Sequence, residues 1–112
     1  MNEPSNHVGP IIFADETARR QLEQHGEVVT FRSSKRTTGD TWWRESRTGP
    51  KRGDCHVEYI GRTDPSRRSD LESHRIESGF RSVREWQAAI EELNADLSAG
   101  HLYRVTESHD AE

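Results

Sequence analysis

Three segments in the middle of the chain decide the fold: VVTFR at residues 28–32, GDTWWR at residues 39–44 and CHVEYIG at residues 55–61. Each segment is rich in β-branched or aromatic residues, which are typical of strands. We therefore predict three strands in a row, the second beginning at Thr41 and the third ending at Ile60. The loops between them contain Gly, Ser and basic residues, as turns do.

Two adjacent tryptophans, Trp42 and Trp43, lie in the second of these strands. Neighbouring residues of a strand point to opposite faces of the sheet, so the two rings are predicted on opposite sides. One explanation is that one ring joins the core and the other is exposed to a ligand. The other explanation is that both rings are core residues, one on each face.

The N-terminal flank predicts a strand over residues 11–13 followed by a helix of about three turns. Asp15 is placed to cap the start of that helix, and Gly26 is placed to end it in the left-handed conformation.

The C-terminal flank begins with a highly charged segment at residues 63–78, for which we expect a short or irregular surface helix. The sequence SVRE at residues 82–85 is a capping box, with Phe80 just before it. Gly100 is expected to stop the helix, and a last strand is predicted over residues 101–106. The apolar stripe of the helix is Val83, Trp86, Ile90, Leu93 and Leu97.

This order of elements predicts an α+β fold: a strongly bent sheet or small β-barrel with helices packed outside it. The length of 112 residues fits one domain, which we assign to residues 11–106. Residues 1–10 and 107–112 show no periodicity and are predicted to be flexible ends.

The composition combines 32% charged residues with 29% hydrophobic residues, which limits the chain to a small core. Sixteen basic residues include only two lysines, Lys35 and Lys51. Adaptation to high internal salt is one explanation for so much arginine beside twenty acids. A GC-rich genome, which favours arginine codons, is the other.

Cys55 is the only cysteine, so the chain forms no internal disulfide, and we predict a cytoplasmic protein. No apolar run approaches the length of about 20 residues that a membrane span needs, and we expect no membrane partner. The first ten residues lack the basic and apolar regions of a signal peptide.

Positive charge is concentrated in the middle of the chain. Residues 31–68 contain ten Lys or Arg against five acids, whereas residues 69–112 contain four Arg against ten acids. A basic middle between acidic flanks predicts a local surface for phosphate or another anion. The alternative is that the arginines of these loops are simply solvated.

Several short patterns, in this order, resemble the ASCH domain, a relative of the PUA RNA-binding domain. They are Thr30-Phe31-Arg32, Gly39-Asp40, Cys55 with Val57 and Glu58, and Gly79-Phe80 with Ser82, Glu85 and Trp86. The resemblance covers residues 11–106. It implies a PUA-like barrel whose cleft binds RNA or a nucleotide-like ligand, with Arg32 at the cleft.

The predicted contacts to RNA combine basic side chains for phosphates with a tryptophan that stacks on a base. The candidate residues are Arg32, Lys35, Arg36, Trp42, Trp43, Arg44, Arg47, Lys51 and Arg52.

Some members of the resembled family are amidohydrolases of acetylated cytidine, and others are nucleases. The Lys and Thr on which the amidohydrolases depend align with Glu27 and Val28 here, which favours binding without catalysis. We assign no catalytic residue. An enzyme of the same fold, a ribonuclease or a hydrolase of a modified nucleoside, is the second hypothesis. A protein-interaction module that uses the acidic C-terminal half is the third.

The six histidines and Cys55 show no metal-ligand spacing, so no metal site is predicted. Glycine-rich phosphate loops are also absent from the sequence, and no cofactor is predicted.

Overall fold

The computed structural model describes residues 8–108. These residues form a five-stranded mixed sheet with four flanking helices. In chain order the elements are β1 (Ile11–Ile12), α1 (Glu16–His25), β2 (Glu27–Arg32), β3 (Gly39–Arg44), β4 (Gly53–Thr63), α2 (Arg68–Glu72), α3 (Arg75–Ser78), α4 (Val83–Asn94) and β5 (Gly100–Glu107).

The sheet has the strand order β1-β3-β4-β5-β2 and is curled into a half-barrel. The short β1 runs parallel to β3, and the other neighbouring pairs are antiparallel. The predicted α+β fold with a strongly bent sheet is confirmed. The sequence order is not the spatial order, however, because β5 lies between β4 and β2.

Strand β2 is buried on both faces, and this divides the core in two. Val28 belongs to an inner cluster, inside the half-barrel, that also contains residues of α1. Val29 and Phe31 belong to an outer cluster beneath α2 and α4 that also contains Trp86. Neighbouring side chains of this strand therefore alternate between the two faces of the sheet.

The two tryptophans of β3 point to opposite faces, as expected. Trp43 is 1% exposed and packs edge-on against Phe13 in the inner cluster, with ring centroids 6.0 Å apart. Trp42 is partly exposed on the other face.

Helix α1 begins and ends at the predicted residues. The carboxylate of Asp15 accepts hydrogen bonds from the backbone N–H groups of Thr17 and Ala18, at 2.8 and 3.3 Å. Gly26 ends the helix with φ of 75°, a conformation that glycine adopts without steric cost.

Strand β4 is longer than predicted, because it begins at Gly53 and continues to Thr63. Residues 53 and 54, expected in a loop, pair with the two tryptophans of β3. A bulge between Tyr59 and Gly61 places the extra residue, Ile60, against the outer cluster. Such a bulge bends and twists a strand, and it allows β4 to contribute side chains to both the inner and the outer cluster.

Helix α4 is shorter than predicted. Ser82 caps it through a hydrogen bond from the backbone N–H of Glu85, as the capping box indicates. The helix ends at Asn94, not at Gly100, and Ala95 takes the left-handed conformation with φ of 72°. Leu93, predicted on the apolar stripe, is 62% exposed, and Gly100 begins β5 instead of stopping the helix.

The predicted flexible ends are only partly within the described residues, since residues 1–7 and 109–112 lie outside them. Residues 8–10 are held by hydrogen bonds: Thr41 donates to the carbonyls of Val8 and Gly9 at 3.0 and 3.1 Å. Glu107 is the last residue of β5. Hydrogen bonds and strand pairing therefore include described residues on both sides of the predicted domain, residues 11–106.

The segment at residues 33–38 crosses the open end of the half-barrel. It leaves β2 at one edge of the sheet and reaches β3 near the other edge. Its position is set at Arg36, whose backbone N–H donates to the hydroxyl of Tyr103 at 2.7 Å, on the inner face of β5. This crossing carries Lys35 and Arg36 over the inner face.

Replacement of Gly100 by Ala should destabilise the fold by about 1–3 kcal/mol, the usual cost of overpacking a filled site. A Cβ atom there would lie 2.5 Å from Phe31 Cζ and 2.6 Å from the carbonyl oxygen of Arg32. Gly61→Ala is the matched control, because nothing lies within 4 Å of its added Cβ. Urea denaturation measures both variants, and equal stabilities would contradict the described packing.

Candidate functional site

A cleft of about 390 Å³ opens between the two edges of the half-barrel. One wall is the chain from β1 to the start of α1, and the other is the end of β2 with the first residues of the crossing segment. The last turn of α4 contributes Leu93 and Asn94. The cleft therefore lies where the bent sheet fails to close into a full barrel.

Arg32 lines this cleft. Its Nε atom is buried and has no hydrogen-bond partner, and within residues 8–108 its guanidinium makes no ion pair. Its Cζ lies 5.1 Å from the centroid of the Phe13 ring, which gives the charge only partial compensation. A partly buried cation with no ion pair among the described residues is poorly stabilised, and a bound anion would stabilise it.

Burial, and to a smaller extent the nearby charge of Arg36, lowers the pKa of Arg32 to about 10. The guanidinium still carries its proton at neutral pH. Two positive charges close together in a poorly solvated place would be favourable only with a negative charge beside them. The positive charges of Arg32 and Arg36 therefore favour binding of an anion in the cleft.

Arg36 has a different role from Arg32 because its donors are occupied. The side chain donates to the carbonyls of Gly9 at 2.5 Å, Thr37 at 2.9 Å and Pro10 at 3.4 Å. It ties the crossing segment to the chain before β1. Arg36 therefore contributes charge and holds the cleft together, while Arg32 keeps its donors free for a ligand.

Hydroxyl groups and one carboxylate share the cleft with Arg32. Thr30 is buried, whereas Ser33 and Ser34 are exposed at the rim. Asp15 lines the opposite side, with one carboxylate oxygen occupied in capping α1. The site thus brings together a cation, hydroxyl donors and a carboxylate.

One side of the cleft is apolar. Phe31 and Leu93 line it, and they continue into a small adjoining hollow of about 40 Å³ beside Phe80 and Trp86. Phe80 and Trp86 are stacked, with centroids 6.3 Å apart and an angle of 10° between the rings. An apolar wall next to an unpaired arginine suits a ligand with an anionic group and a flat apolar part.

Two of the predicted phosphate-binding residues are neutralised by acids. Lys51 lies 2.7 Å from the carboxylate of Asp54. Arg52 forms ion pairs with Glu45 and with Glu23, the latter at 2.7 Å. Arg52 links the loop before β4 to α1, and the charges of Lys51 and Arg52 are already balanced.

Three further candidates lie away from the cleft or are inaccessible. Trp43 is buried, so its ring cannot stack on a base, which corrects that part of the predicted site. Arg44 lies over the ring of Trp42, with 5.1 Å between its Cζ and the ring centroid, on the opposite face of β3 from Trp43. Arg47 is exposed in the loop after β3 and does not line the cleft.

A second depression of about 440 Å³ lies between α1 and the residues that precede and begin α4. Its arginines are in ion pairs within their own regions of the chain, Arg20 with Glu16 at 3.8 Å and Arg81 with Glu85 at 3.6 Å. Although it is slightly larger than the Arg32 cleft, it has less unbalanced charge to offer an anion.

The positions compared with the amidohydrolase Lys and Thr have structural roles. Val28 is fully buried in the inner cluster. Glu27 pairs with Arg104 at 2.7 Å, and Arg104 also reaches Glu77 at 3.2 Å, which joins α3 to the sheet. Neither side chain lines the Arg32 cleft.

Cys55 is 1% exposed, and its burial raises the pKa of the thiol to about 11. A buried neutral thiol is a poor nucleophile. Within residues 8–108, no group of three His, Cys, Asp or Glu side chains is arranged to hold a metal ion.

None of the helices in the described part of the chain has the length and apolar character needed to cross a membrane.

Sequence reasoning missed Tyr59, which is 37% exposed on the inner face of β4. Lys35 lies over its ring, with 5.0 Å between Nζ and the centroid, and the Tyr59 hydroxyl is 3.1 Å from Nδ1 of His101. The only signal in the sequence was a tyrosine alternating with buried residues, which is equally typical of a core position.

Comparison of the chain with protein-family models, curated proteins and solved structures finds no match. The resemblance to the ASCH domain therefore stays a prediction. The half-barrel and its Arg32 cleft define an α+β domain with a candidate anion-binding site.

Replacement of Arg32 by Met should stabilise the ligand-free protein by about 1–3 kcal/mol at pH 7, because it removes a buried charge without a counter-ion. The pKa of Arg32 is lower in the folded state, so its cost is fully present at pH 7 and is lost as the pH rises through and above about 10. Thermal and urea denaturation at pH 7 measure this difference.

Arg47→Met is the control for this prediction, since Arg47 is exposed and its replacement should change stability by less than about 0.5 kcal/mol. Added phosphate should stabilise the wild type more than Arg32→Met, because an anion bound only to the folded state shifts the equilibrium toward it. A less stable Arg32→Met protein would show that Arg32 already has a compensating partner.

Proposed function

We propose that this protein binds RNA or a nucleotide-like ligand in the Arg32 cleft, with a phosphate at the guanidinium of Arg32. The observation that carries the proposal is the buried, unpartnered Nε of Arg32 in a cleft that also contains the charge of Arg36. Guanidinium groups match the oxygen geometry of phosphate and form strong charge-assisted hydrogen bonds with it.

The remaining walls of the cleft support a nucleotide over a simple inorganic anion. A volume of about 390 Å³ is within the range of small-molecule sites and exceeds what one phosphate fills. The apolar wall of Phe31 and Leu93 offers a surface for a base, and the hydroxyls of Ser33 and Ser34 offer polar contacts for a sugar. The resemblance to an RNA-binding domain family supports the same class of ligand.

Binding of single-stranded RNA should be strong at low salt and should weaken as salt rises, because phosphate contacts release counterions. Arg32→Met should weaken binding at least tenfold, the effect expected from loss of one charge-assisted contact. Fluorescence anisotropy of a labelled oligouridylate in a salt titration measures both effects.

Arg47→Met is again the matched control, since it removes one positive charge outside the cleft and should change affinity less than Arg32→Met. Absence of binding to RNA and to uridine monophosphate at low salt would overturn the proposal. If both variants lowered the affinity for RNA equally, binding would depend on the diffuse positive charge of the surface and not on the Arg32 cleft.

A second candidate function is hydrolysis of RNA or of a modified nucleoside. The observation in its favour is that the carboxylate of Asp15 and the hydroxyl of Thr30 line the same cleft as Arg32. A carboxylate can act as a general base and an arginine can stabilise developing negative charge. The third hypothesis, protein binding through the acidic C-terminal half, has no specific observation among residues 8–108 in its favour and stays a prediction.

Asp15→Asn separates the enzyme from the binding protein, because Asn also caps helices well and should leave α1 intact. A hydrolase should lose turnover by about 10²- to 10⁴-fold on this change, the usual share of general acid–base catalysis. The substrates are single-stranded RNA and acetylated cytidine, followed by chromatography. No turnover by the wild type, or unchanged turnover by Asp15→Asn, would exclude this role for Asp15.

A further inference from the structure

The inner face of the sheet carries a second group of ligand-type side chains beyond the Arg32 cleft. The register pairs His101 of β5 with Arg32 of β2 on one side and with Arg62 of β4 on the other. Residues paired across neighbouring strands point to the same face. Tyr59 lies on this face too, since its ring is 5.7 Å from that of His101.

These side chains are not balanced by acids. Lys35 and Arg62 form no ion pair within the described residues, and the contact of Lys35 is with the Tyr59 ring. Both are exposed. A basic and aromatic surface of this kind is complementary to single-stranded nucleic acid, in which each nucleotide supplies one phosphate and one stacking base.

The crossing segment connects the two places. Ser33, Ser34 and Arg36 line the cleft, whereas Lys35, between them in sequence, lies over Tyr59. The backbones of Arg32 and Arg62 are separated by two strand spacings, about 10 Å. One phosphate beside Arg32 therefore leaves Arg62 and Tyr59 without a ligand, and a second nucleotide would be needed to use them.

We propose that Tyr59, Lys35, Arg62 and His101 form a second subsite, which receives the nucleotide adjacent to the one held at Arg32, so that the ligand is a single-stranded oligonucleotide. This inference rests on the proposed function of the Arg32 cleft. A base stacks on the Tyr59 ring, and Lys35 moves from the ring to the incoming phosphate. Stacking of a base is generally stronger than an exposed cation–π contact, so the exchange is favourable.

The test compares uridine monophosphate with oligouridylates of two, three and five nucleotides at constant low salt. The wild type should gain at least tenfold in affinity from one nucleotide to three, because a second stacking ring and further phosphate contacts are added. Tyr59→Leu keeps apolar volume against Tyr103 and should remove most of that gain, about tenfold. Tyr59→Phe keeps the ring and should retain the gain.

Arg62→Met should lower the salt dependence of oligonucleotide binding, and Arg47→Met, outside both subsites, is the control. Affinity that does not increase with length, or Tyr59→Leu that binds the trinucleotide as the wild type does, would overturn the second subsite. Either result with normal binding of uridine monophosphate would leave the proposed function intact. Loss of all binding in the wild type would refute the proposed function itself.

Discussion

Strand β5 is the element on which the rest of the sheet depends, because it is the last strand in the chain and lies between β4 and β2. Its pairing with β2 runs from Glu27 opposite Thr106 to Arg32 opposite His101. Without β5, β2 would have no strand neighbour, and both clusters of the core would lose the side chains that β5 contributes. Gly100 begins this strand against the ring of Phe31 and the carbonyl oxygen of Arg32, which leave no room for a side chain.

The same strand order creates the Arg32 cleft. Since β2 lies at one edge of the sheet and β3 near the other, the chain between them must cross the open end of the half-barrel. Arg36 holds this crossing through Tyr103 and the carbonyls of residues 9 and 10. The crossing keeps Arg32 poorly solvated, and its lowered pKa expresses the cost of that position. Proteins accept such local costs where a ligand later offsets them.

Local features of the fold were predictable because their physical causes lie within a few residues. Asp15 and Gly26 bound α1, and Ser82 begins α4, since caps depend on side chains adjacent to the helix end. The end of α4 was not predictable in this way. Leu97 fits the helical spacing, but it reaches the outer cluster after the chain has turned at Ala95.

The candidate site, like the fold, was only partly predictable from the sequence. Arg32 was named from the sequence and lies in the cleft, whereas Lys51 and Arg52, equally basic in sequence, are balanced by acids. Ion pairing depends on which strands become neighbours, and sequence order does not specify that. Tyr59 was missed because its exposure depends on the bulge in β4 and on the crossing segment above it.

The sequence by itself determined the class of fold, the alternating faces of the strands, the helix caps and a basic middle segment, since each follows from residue type and short spacing. Only the tertiary structure decided the strand order, the burial of Trp43 and the residues that share the cleft. It also left Arg32 without a counter-ion among residues 8–108, because that property requires the positions of residues far apart in the chain.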